Sequence, residues 1–264
     1  MSLKNPLKLS LKESLAQKKP LIGTFIKTPH FHNTEVLAHT NFDVLCLDAE
    51  HAPFNRSDLD TCVLAAKSQQ MPVVIRVHNT ENSTILNALD LGADGIVLPH
   101  ILNAEHASKI VKKCFYGPDG RGYAGSTRFA GYTTKTLPEN LANNKNHTCV
   151  IAQIEDVEAV NDIDAICQVE GIDCIFIGRM DLTVALEQTN PSHPDVLAAV
   201  NIIVNAANKH GKNCGMFVGD LSELPHWISL GVSLFLLGSD QSFMISGAQQ
   251  LQKSFANAIK NAEK

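Results

Sequence analysis

The sequence predicts one α/β domain, a (β/α)8 or TIM barrel that spans residues 1–264. A length of 264 residues is usual for one such barrel. Eight short runs are nearly continuous in Val, Ile, Leu and Cys, as in strands that are buried on both faces. Helical patterns separate these runs, which favours parallel strands, and eight parallel strands close into a barrel.

The eight apolar runs are the candidate strands. They are Leu21–Phe25, Asp43–Asp48, Pro72–Val77, Gly95–Pro99, Cys149–Ile154, Asp173–Ile177, Cys214–Val218 and Ser233–Leu237. An open, doubly wound sheet is the alternative, and such a sheet typically has a glycine-rich turn after its first strand. Here the first strand leads into Lys27-Thr28-Pro29-His30, which favours the barrel.

The segments between the strands have helical spacing of apolar residues. They are Thr34–Thr40, Asp58–Gln69, Thr80–Leu91, Ala104–Cys114, Val157–Val169, Asp195–His210 and Ser222–Leu230. Several are followed by a glycine, the residue that commonly ends a helix in a left-handed conformation. Those glycines are Gly92, Gly171, Gly211 and Gly231.

Two segments fall outside this repeat. Tyr116–His147 is a long connection with five glycines, and long connections in compact domains are usually functional or disordered. The tail Phe243–Lys264 predicts an extra helix. One face of that helix carries Met244, Ala248, Leu251, Phe255 and Ile259. Such a helix either caps the barrel end or packs on another subunit. Because soluble monomers avoid an exposed stripe of this kind, we expect the helix to be exchanged between the subunits of a homo-oligomer.

Composition excludes several classes of partner. The net charge is -5, and no run of Lys or Arg offers a surface for nucleic acid. No apolar stretch is long enough to span a membrane. The 7 cysteines include no Cys-x-x-Cys pair, so we expect buried, reduced thiols in a cytoplasmic protein.

Polar residues follow the predicted strands at their carboxyl ends, where active sites of this fold lie. Glu155 and Asp181 follow the fifth and sixth strands, and two converging carboxylates suit a divalent cation. Asp181 could instead cap the next helix. Among metal sites, the pair His30 and His32 after the first strand raises the alternative of a zinc hydrolase. The fifth and sixth strands supply none of the histidines such a site needs, so a pair at a helix start is the favoured interpretation.

His51 and Arg76 are the other strand-end candidates. His51 follows the second strand beside Glu50 and is a candidate base, although a loop histidine can also be mere polar surface. Arg76 ends the buried third strand, where it faces either a substrate oxygen or a structural carboxylate. A Schiff-base mechanism would need a lysine inside a strand, and no candidate strand contains one.

Six motifs carry a family resemblance. They are Phe42-Asp43 through Asp48-Ala49-Glu50-His51-Ala52-Pro53, Val74-Ile75-Arg76, Leu89 through Gly95, Arg121-Gly122-Tyr123, Gln153-Ile154-Glu155, and Gly171-Ile172-Asp173 through Gly178-Arg179-Met180-Asp181-Leu182. Together they resemble the class II pyruvate aldolases of the HpcH/HpaI family, of the 2-dehydro-3-deoxyglucarate and 4-hydroxy-2-oxoheptanedioate aldolase type. The resemblance runs from about Gly23 to the C-terminal helix.

The resemblance implies a reaction: aldol cleavage or condensation of 4-hydroxy-2-oxo acids, giving pyruvate and an aldehyde through a metal-stabilised pyruvate enolate. It also implies roles. Glu155 and Asp181 would bind Mg²⁺, Mn²⁺ or Co²⁺, while Gln153 and the backbone at Met180-Asp181 would hold the pyruvate carboxylate. His51 would be the base, Asp90 would raise its basicity, and Arg76 would stabilise the enolate oxygen. Members of the family are commonly hexamers that exchange the last helix between neighbours, so the resemblance also implies a hexamer.

One departure and two rival functions qualify this expectation. The family usually has Gly-Pro-x-Asp where this chain has Gly178-Arg179-Met180-Asp181, so a long cationic side chain is expected near the site. A phosphoenolpyruvate mutase or lyase on a similar barrel is the first rival. A barrel that has lost catalysis and acts as a binding protein is the second.

Overall fold

The computed structural model describes residues 9–262 and contains all eight predicted strands. They are β1 (Leu21–Ile26), β2 (Val44–Asp48), β3 (Val73–Arg76), β4 (Gly95–Leu98), β5 (Cys149–Ile154), β6 (Cys174–Ile177), β7 (Asn213–Phe217) and β8 (Leu234–Ser239). Each strand is parallel to the next, and β1 also pairs with β8, with Leu21 opposite Leu234. That last pairing closes the sheet, so the barrel is confirmed and the open sheet is excluded.

Helices separate the strands in the predicted order. They are α1 (Leu11–Ala16), α2 (Phe31–Ala38), α3 (Arg56–Ser68), α4 (Asn82–Asp90), α5 (Ala104–Lys112), α6 (Leu137–His147), α7 (Val157–Asn161), α8 (Ile163–Ile166), α9 (Arg179–Ala185), α10 (Pro194–Lys209), α11 (Leu224–Ser229) and α12 (Asp240–Ala262). The left-handed glycines are confirmed, since Gly92, Gly171, Gly211 and Gly231 all have φ between 70 and 94°.

Two predicted helices are interrupted. The segment Val157–Val169 forms α7 and α8, which meet at Asp162, and the Asp162 carboxylate accepts the backbone N–H of Ala104 at 2.7 Å. The segment Ser222–Leu230 begins as one turn of 3₁₀ helix before α11. Pro225 explains this break, because proline is tolerated in the first turn of an α-helix but not in its interior.

The helix α1 closes one end of the barrel. Leu11 and Leu15 pack with the apolar residues of the barrel interior, among them Cys149 and Cys174 near the starts of β5 and β6. A second, larger apolar layer lies between the strands and the surrounding helices. Because α1 covers the end where the strands begin, the opposite rim, where they end, is the open one.

The C-terminal helix α12 extends away from the barrel. Only its first residue, Asp240, is buried, and every later side chain through Ala262 is exposed. Asp240 holds the loop after β1 by accepting the backbone N–H groups of Lys27 at 2.8 Å and Thr28 at 3.1 Å. The last two residues of the predicted tail helix lie outside the described residues. No described helix has the length and apolar content needed to cross a bilayer.

Candidate active site

A buried ion pair stands at the ends of β2 and β3. Asp48 and Arg76 are the last residues of these strands and lie opposite each other in the sheet register. Asp48 accepts hydrogen bonds from Arg76 Nε at 2.9 Å and Nη2 at 2.8 Å. Burial acts to raise the pKa of Asp48, but the hydrogen bonds and charge of Arg76 hold it below its usual value. The structural carboxylate expected as one partner of Arg76 is therefore present. Among the described residues, nothing is bonded to Nη1 of Arg76.

Three further side chains converge beside this pair. Glu50, His100 and Glu155 each offer one ligand atom, and these atoms lie within 4.8 Å of one another. His100 Nδ1 is 3.4 Å from Glu155 Oε1, and His100 Nε2 is 3.7 Å from Glu50 Oε1. Glu155 is buried, and Glu50 nearly so. The arrangement is a small cage of two carboxylates and one imidazole that opens to solvent at His100.

The backbone at His100 is arranged for this contact. His100 has a φ of 50°, a left-handed conformation that costs a non-glycine residue free energy. In return, its N–H donates to Glu155 Oε1 at 2.9 Å, and its ring Nδ1 lies 3.1 Å from Asp156. Burial acts to lower the pKa of His100, but the hydrogen bond to Asp156 and the charges of Glu155 and Glu50 raise it.

The donor set fits a divalent cation. Oε2 of Glu50 and Oε1 of Gln153 are buried, and neither makes a hydrogen bond within the described part of the chain. Burial raises the pKa of Glu50, as does the facing charge of Glu155, while Arg76 opposes the rise. A cation between the carboxylates would relieve both the repulsion and the missing hydrogen bonds. Carboxylate oxygens with one imidazole nitrogen suit Mg²⁺, Mn²⁺ or Co²⁺.

Gly178 brings the turn after β6 against Glu155. A Cβ atom at this position would lie 2.7 Å from Glu155 Oε2, so only glycine fits. Gln153 donates to the same Glu155 oxygen at 2.5 Å. Met180 and Asp181 lie on the first turn of α9 and are exposed. Among the described residues no side chain caps α9, so Asp181 does not act as its cap.

His51 lies at the same rim, half exposed. Its backbone N–H donates to Asp48 Oδ1 at 3.2 Å, and its Nε2 is 3.7 Å from Glu50 Oε2. Its predicted helper, Asp90, is elsewhere. Asp90 ends α4, at the end of the barrel where strands begin, and forms a buried ion pair with Arg121. Within one chain, Asp90 and His51 therefore stand at opposite ends of the barrel.

Arg179 is not directed into the site, and the expectation that it enters there is wrong. Its guanidinium donates to the Pro191 carbonyl at 2.9 Å and to Glu223 at 2.5 Å, and it lies over the Trp227 ring. Trp227 also donates to Glu223. Burying a guanidinium requires such acceptors, and these lie in the loop after α9 and at α11. The arginine that replaces the family's usual proline therefore binds to groups among the outer helices and leaves the site unchanged in charge.

Lys27 lies directly after β1, and the described strands contain no lysine, as predicted. The Lys27 ammonium is 3.2 Å from Asp48 Oδ2. His30 follows in the same loop, His32 lies in the first turn of α2, and both are exposed. Nδ1 of His30 accepts the backbone N–H of His32 at the start of α2. These two histidines form the helix-start pair that was favoured over a zinc site.

Neither Glu50 nor His100 was assigned a role from the sequence. Each stands two residues after the end of a buried strand, β2 or β4, which is the only signal the sequence offers for them. The direction of each side chain and the convergence of β2, β4 and β5 appear only in the folded barrel.

A closed barrel with three possible cation ligands beside a buried Asp–Arg pair, all at the rim where strands end, is typical of (β/α)8-barrel enzymes that use a divalent cation. Residues 21–247 match the model of the HpcH/HpaI aldolase/citrate lyase family. The chain belongs to this family.

Relatives agree with this assignment over nearly full length. A 5-keto-4-deoxy-D-glucarate aldolase from Shigella boydii is 34% identical over 246 residues, 92% of this chain and 95% of that protein. A family structure from Burkholderia cenocepacia has 29% identity and a TM-score of 0.88, and the match covers 93% of this chain and 98% of that one. The structure of citrate synthase SbnG has 30% identity and a TM-score of 0.84, with 97% and 100% covered. This chain is accordingly a carbon–carbon lyase, a metal-dependent class II aldolase that forms pyruvate and an aldehyde.

Proposed function

We propose that the physiological substrate is a 4-hydroxy-2-oxo acid whose aldehyde half also carries a carboxylate. The names of the curated relatives support this, since 5-keto-4-deoxy-D-glucarate has a carboxylate at both ends. The observation that carries the chemistry proposed for the keto-acid end is the position of the Asp48–Arg76 pair beside the cation cage. Arg76 Nε is 3.3 Å from Glu50 Oε2, so a cationic donor and the cage face one small volume.

Glu155 is the proposed central ligand of the cation, which we take to be Mg²⁺, Mn²⁺ or Co²⁺. The resemblance adds Asp181 as the second ligand; it lies on the exposed first turn of α9 and is not among the three described residues whose ligand atoms converge. Glu50 and His100 are the groups that already surround Glu155. When bound, the cation supplies Lewis acidity that stabilises negative charge on the keto oxygen of the substrate.

The chain's own residues supply orientation and proton transfer. Gln153 and the backbone at Met180-Asp181 are proposed to hold the pyruvate carboxylate. Arg76 donates from Nη1 to the oxygen on which negative charge develops, while Asp48 fixes the guanidinium plane. His51 removes the proton from the 4-hydroxyl group in cleavage and returns it in condensation.

Asp90 can assist His51 only across a subunit boundary, because the two stand at opposite ends of one barrel. We propose a homo-oligomer, a hexamer, in which α12 packs on a neighbouring copy. The exposed apolar side chains of α12 support this, since 72% of Leu251 and 67% of Phe255 are exposed in the single chain. Assembly would bring elements of one copy to the rim of another.

Exchange of the pyruvate methyl protons tests this function. In D₂O with Mn²⁺, the wild-type protein is expected to replace them with deuterium, which NMR detects, and to form a 4-hydroxy-2-oxo acid when an aldehyde is added. Glu155→Gln should abolish both reactions and weaken Mn²⁺ binding measured by calorimetry. Failure of the wild type to exchange would favour the barrel that lost catalysis. Turnover of phosphoenolpyruvate alone would favour the mutase or lyase alternative.

A calorimetric comparison separates the possible ligands. Asp181→Asn and Glu50→Gln each remove one charge from the rim. If Asp181 binds the cation directly, its variant should lose more Mn²⁺ affinity than the Glu50 variant. The reverse order would assign the second position to the Glu50 and His100 side of the cage.

A further inference from the structure

The charged groups of the rim form one continuous line. Starting at the cation cage, Glu155 contacts His100, His100 contacts Glu50, and Oε2 of Glu50 lies 3.3 Å from Arg76 Nε. Arg76 in turn binds Asp48, whose Oδ2 accepts Nη2 at 2.8 Å. The line therefore runs across the rim from β5 through β4, β2 and β3, back toward β1.

Lys27 stands at the other end of this line. Its Nζ is 3.2 Å from Asp48 Oδ2, the same oxygen that binds Arg76 Nη2. Two cations thus flank one carboxylate oxygen, and Arg76 is the one on the side of the cage. The Lys27 side chain is 32% exposed, whereas that of Arg76 is 8% exposed. Lys27 consequently presents an ammonium group to the solvent above the site.

The backbone of Lys27 is fixed in place although its side chain is accessible. Asp240, the buried first residue of α12, accepts the N–H groups of Lys27 and Thr28, and it also binds the Asn33 side chain at 2.9 Å. The Lys27 ammonium lies 5.8 Å from the Phe25 ring centre, on the ring that also supports Arg76. A fixed backbone and an apolar support reduce the entropy lost when the ammonium binds a ligand.

We propose that Lys27 binds the carboxylate of the aldehyde half of the substrate and so selects anionic aldehydes over neutral ones. This inference rests on the proposed function and adds the residue that recognises the far end. A substrate whose keto-acid end lies at the cage extends along the line of charges and brings its other end to Lys27. The negative charge of Asp48 is already offset by Arg76, so the ammonium retains attraction for a second anion.

The test is a ratio of specificity constants in the condensation direction. At saturating pyruvate and Mn²⁺, kcat/KM is measured for succinic semialdehyde, which carries a carboxylate, and for butanal, which does not. Ionic strength is held constant because it alters charge–charge attraction. A general loss of activity lowers both constants equally, so only recognition of charge changes their ratio.

The variants are chosen to isolate the charge of Lys27. Lys27→Met and Lys27→Gln should lower the anionic-to-neutral ratio about 10-fold, the effect of losing one hydrogen bond to a charged group. Lys27→Arg should retain most of the ratio. Lys12→Met is the matched control, because Lys12 is 27% exposed and pairs with Asp173 at 3.1 Å, but at the other end of the barrel. Its ratio should equal that of the wild type.

Several results would overturn the inference. A wild-type enzyme with no preference for succinic semialdehyde would do so, as would an unchanged ratio in both neutral Lys27 variants. An adduct on Lys27 after borohydride treatment with pyruvate would assign it to covalent chemistry instead. If the wild type neither exchanges pyruvate protons nor condenses either aldehyde, the proposed function itself fails, and that result is separate from the ratio.

Discussion

The Asp48–Arg76 pair should carry a large share of the stability of the rim. Asp48 is fully buried and Arg76 nearly so, and two hydrogen bonds join them. Removing one partner of such a pair leaves an uncompensated buried charge, which costs roughly 3–5 kcal/mol. For Arg76→Met we expect about 3 kcal/mol, the low end of that range, because Lys27 still lies 3.2 Å from the stranded carboxylate.

Urea unfolding of the metal-free protein measures this cost. The double variant Asp48→Leu/Arg76→Met should regain at least about 1 kcal/mol of the loss, since two apolar residues leave no buried charge. Lys67→Met is the comparison, because Lys67 pairs with Asp94 where both are partly exposed, and its loss should cost at most about 1 kcal/mol. An Arg76 variant no less stable than the Lys67 variant would refute the reasoning.

Three other outcomes follow from the proposed site and assembly. EDTA should inactivate the enzyme reversibly, and full activity of the metal-free protein would contradict this expectation. Glu155→Ala or Asp181→Ala should abolish cleavage, while circular dichroism should show that the barrel remains folded. His51→Ala should slow aldol cleavage by roughly 10²–10⁴, the usual contribution of general acid–base catalysis, and near-normal cleavage would assign the base elsewhere. Truncation after Ser242 should dissociate the oligomer and lower activity. If light scattering shows that the intact chain is a monomer, the proposed assembly is wrong.

The pattern of apolar residues and the glycines that end helices were enough to predict the barrel from the sequence. Buried strands such as Cys149–Ile154 are continuous apolar runs, and the glycines that end helices, such as Gly92, do so by a local backbone requirement. Local signals of this kind are readable from one sequence. The break between α7 and α8 was not predicted from the sequence. At this break the Asp162 carboxylate accepts a hydrogen bond from the N–H of Ala104, a residue far away in the chain.

The site was predicted less completely, for a related reason. Glu155 and Arg76 were identified because charged residues at the ends of buried strands stand out. Glu50 and His100 stand at similar ends, but their convergence depends on the register of neighbouring strands and on the left-handed backbone at His100. Arg179 was expected in the site because it lies two residues before Asp181 in the sequence. That expectation was wrong because sequence position does not reveal the direction of a long side chain.

Because α1 closes one end of the barrel, the cysteine thiols beneath it can be used to detect opening of that end. All seven cysteines are free and buried, and Leu11 and Leu15 cover the interior that contains Cys149 and Cys174. Burial raises the pKa of Cys46 and of Cys214 to about 12, so almost no reactive thiolate exists in the folded state. The rate at which an alkylating reagent consumes Cys46, Cys149 and Cys174, the thiols of this interior, therefore measures how often α1 lifts or the strands part under native conditions.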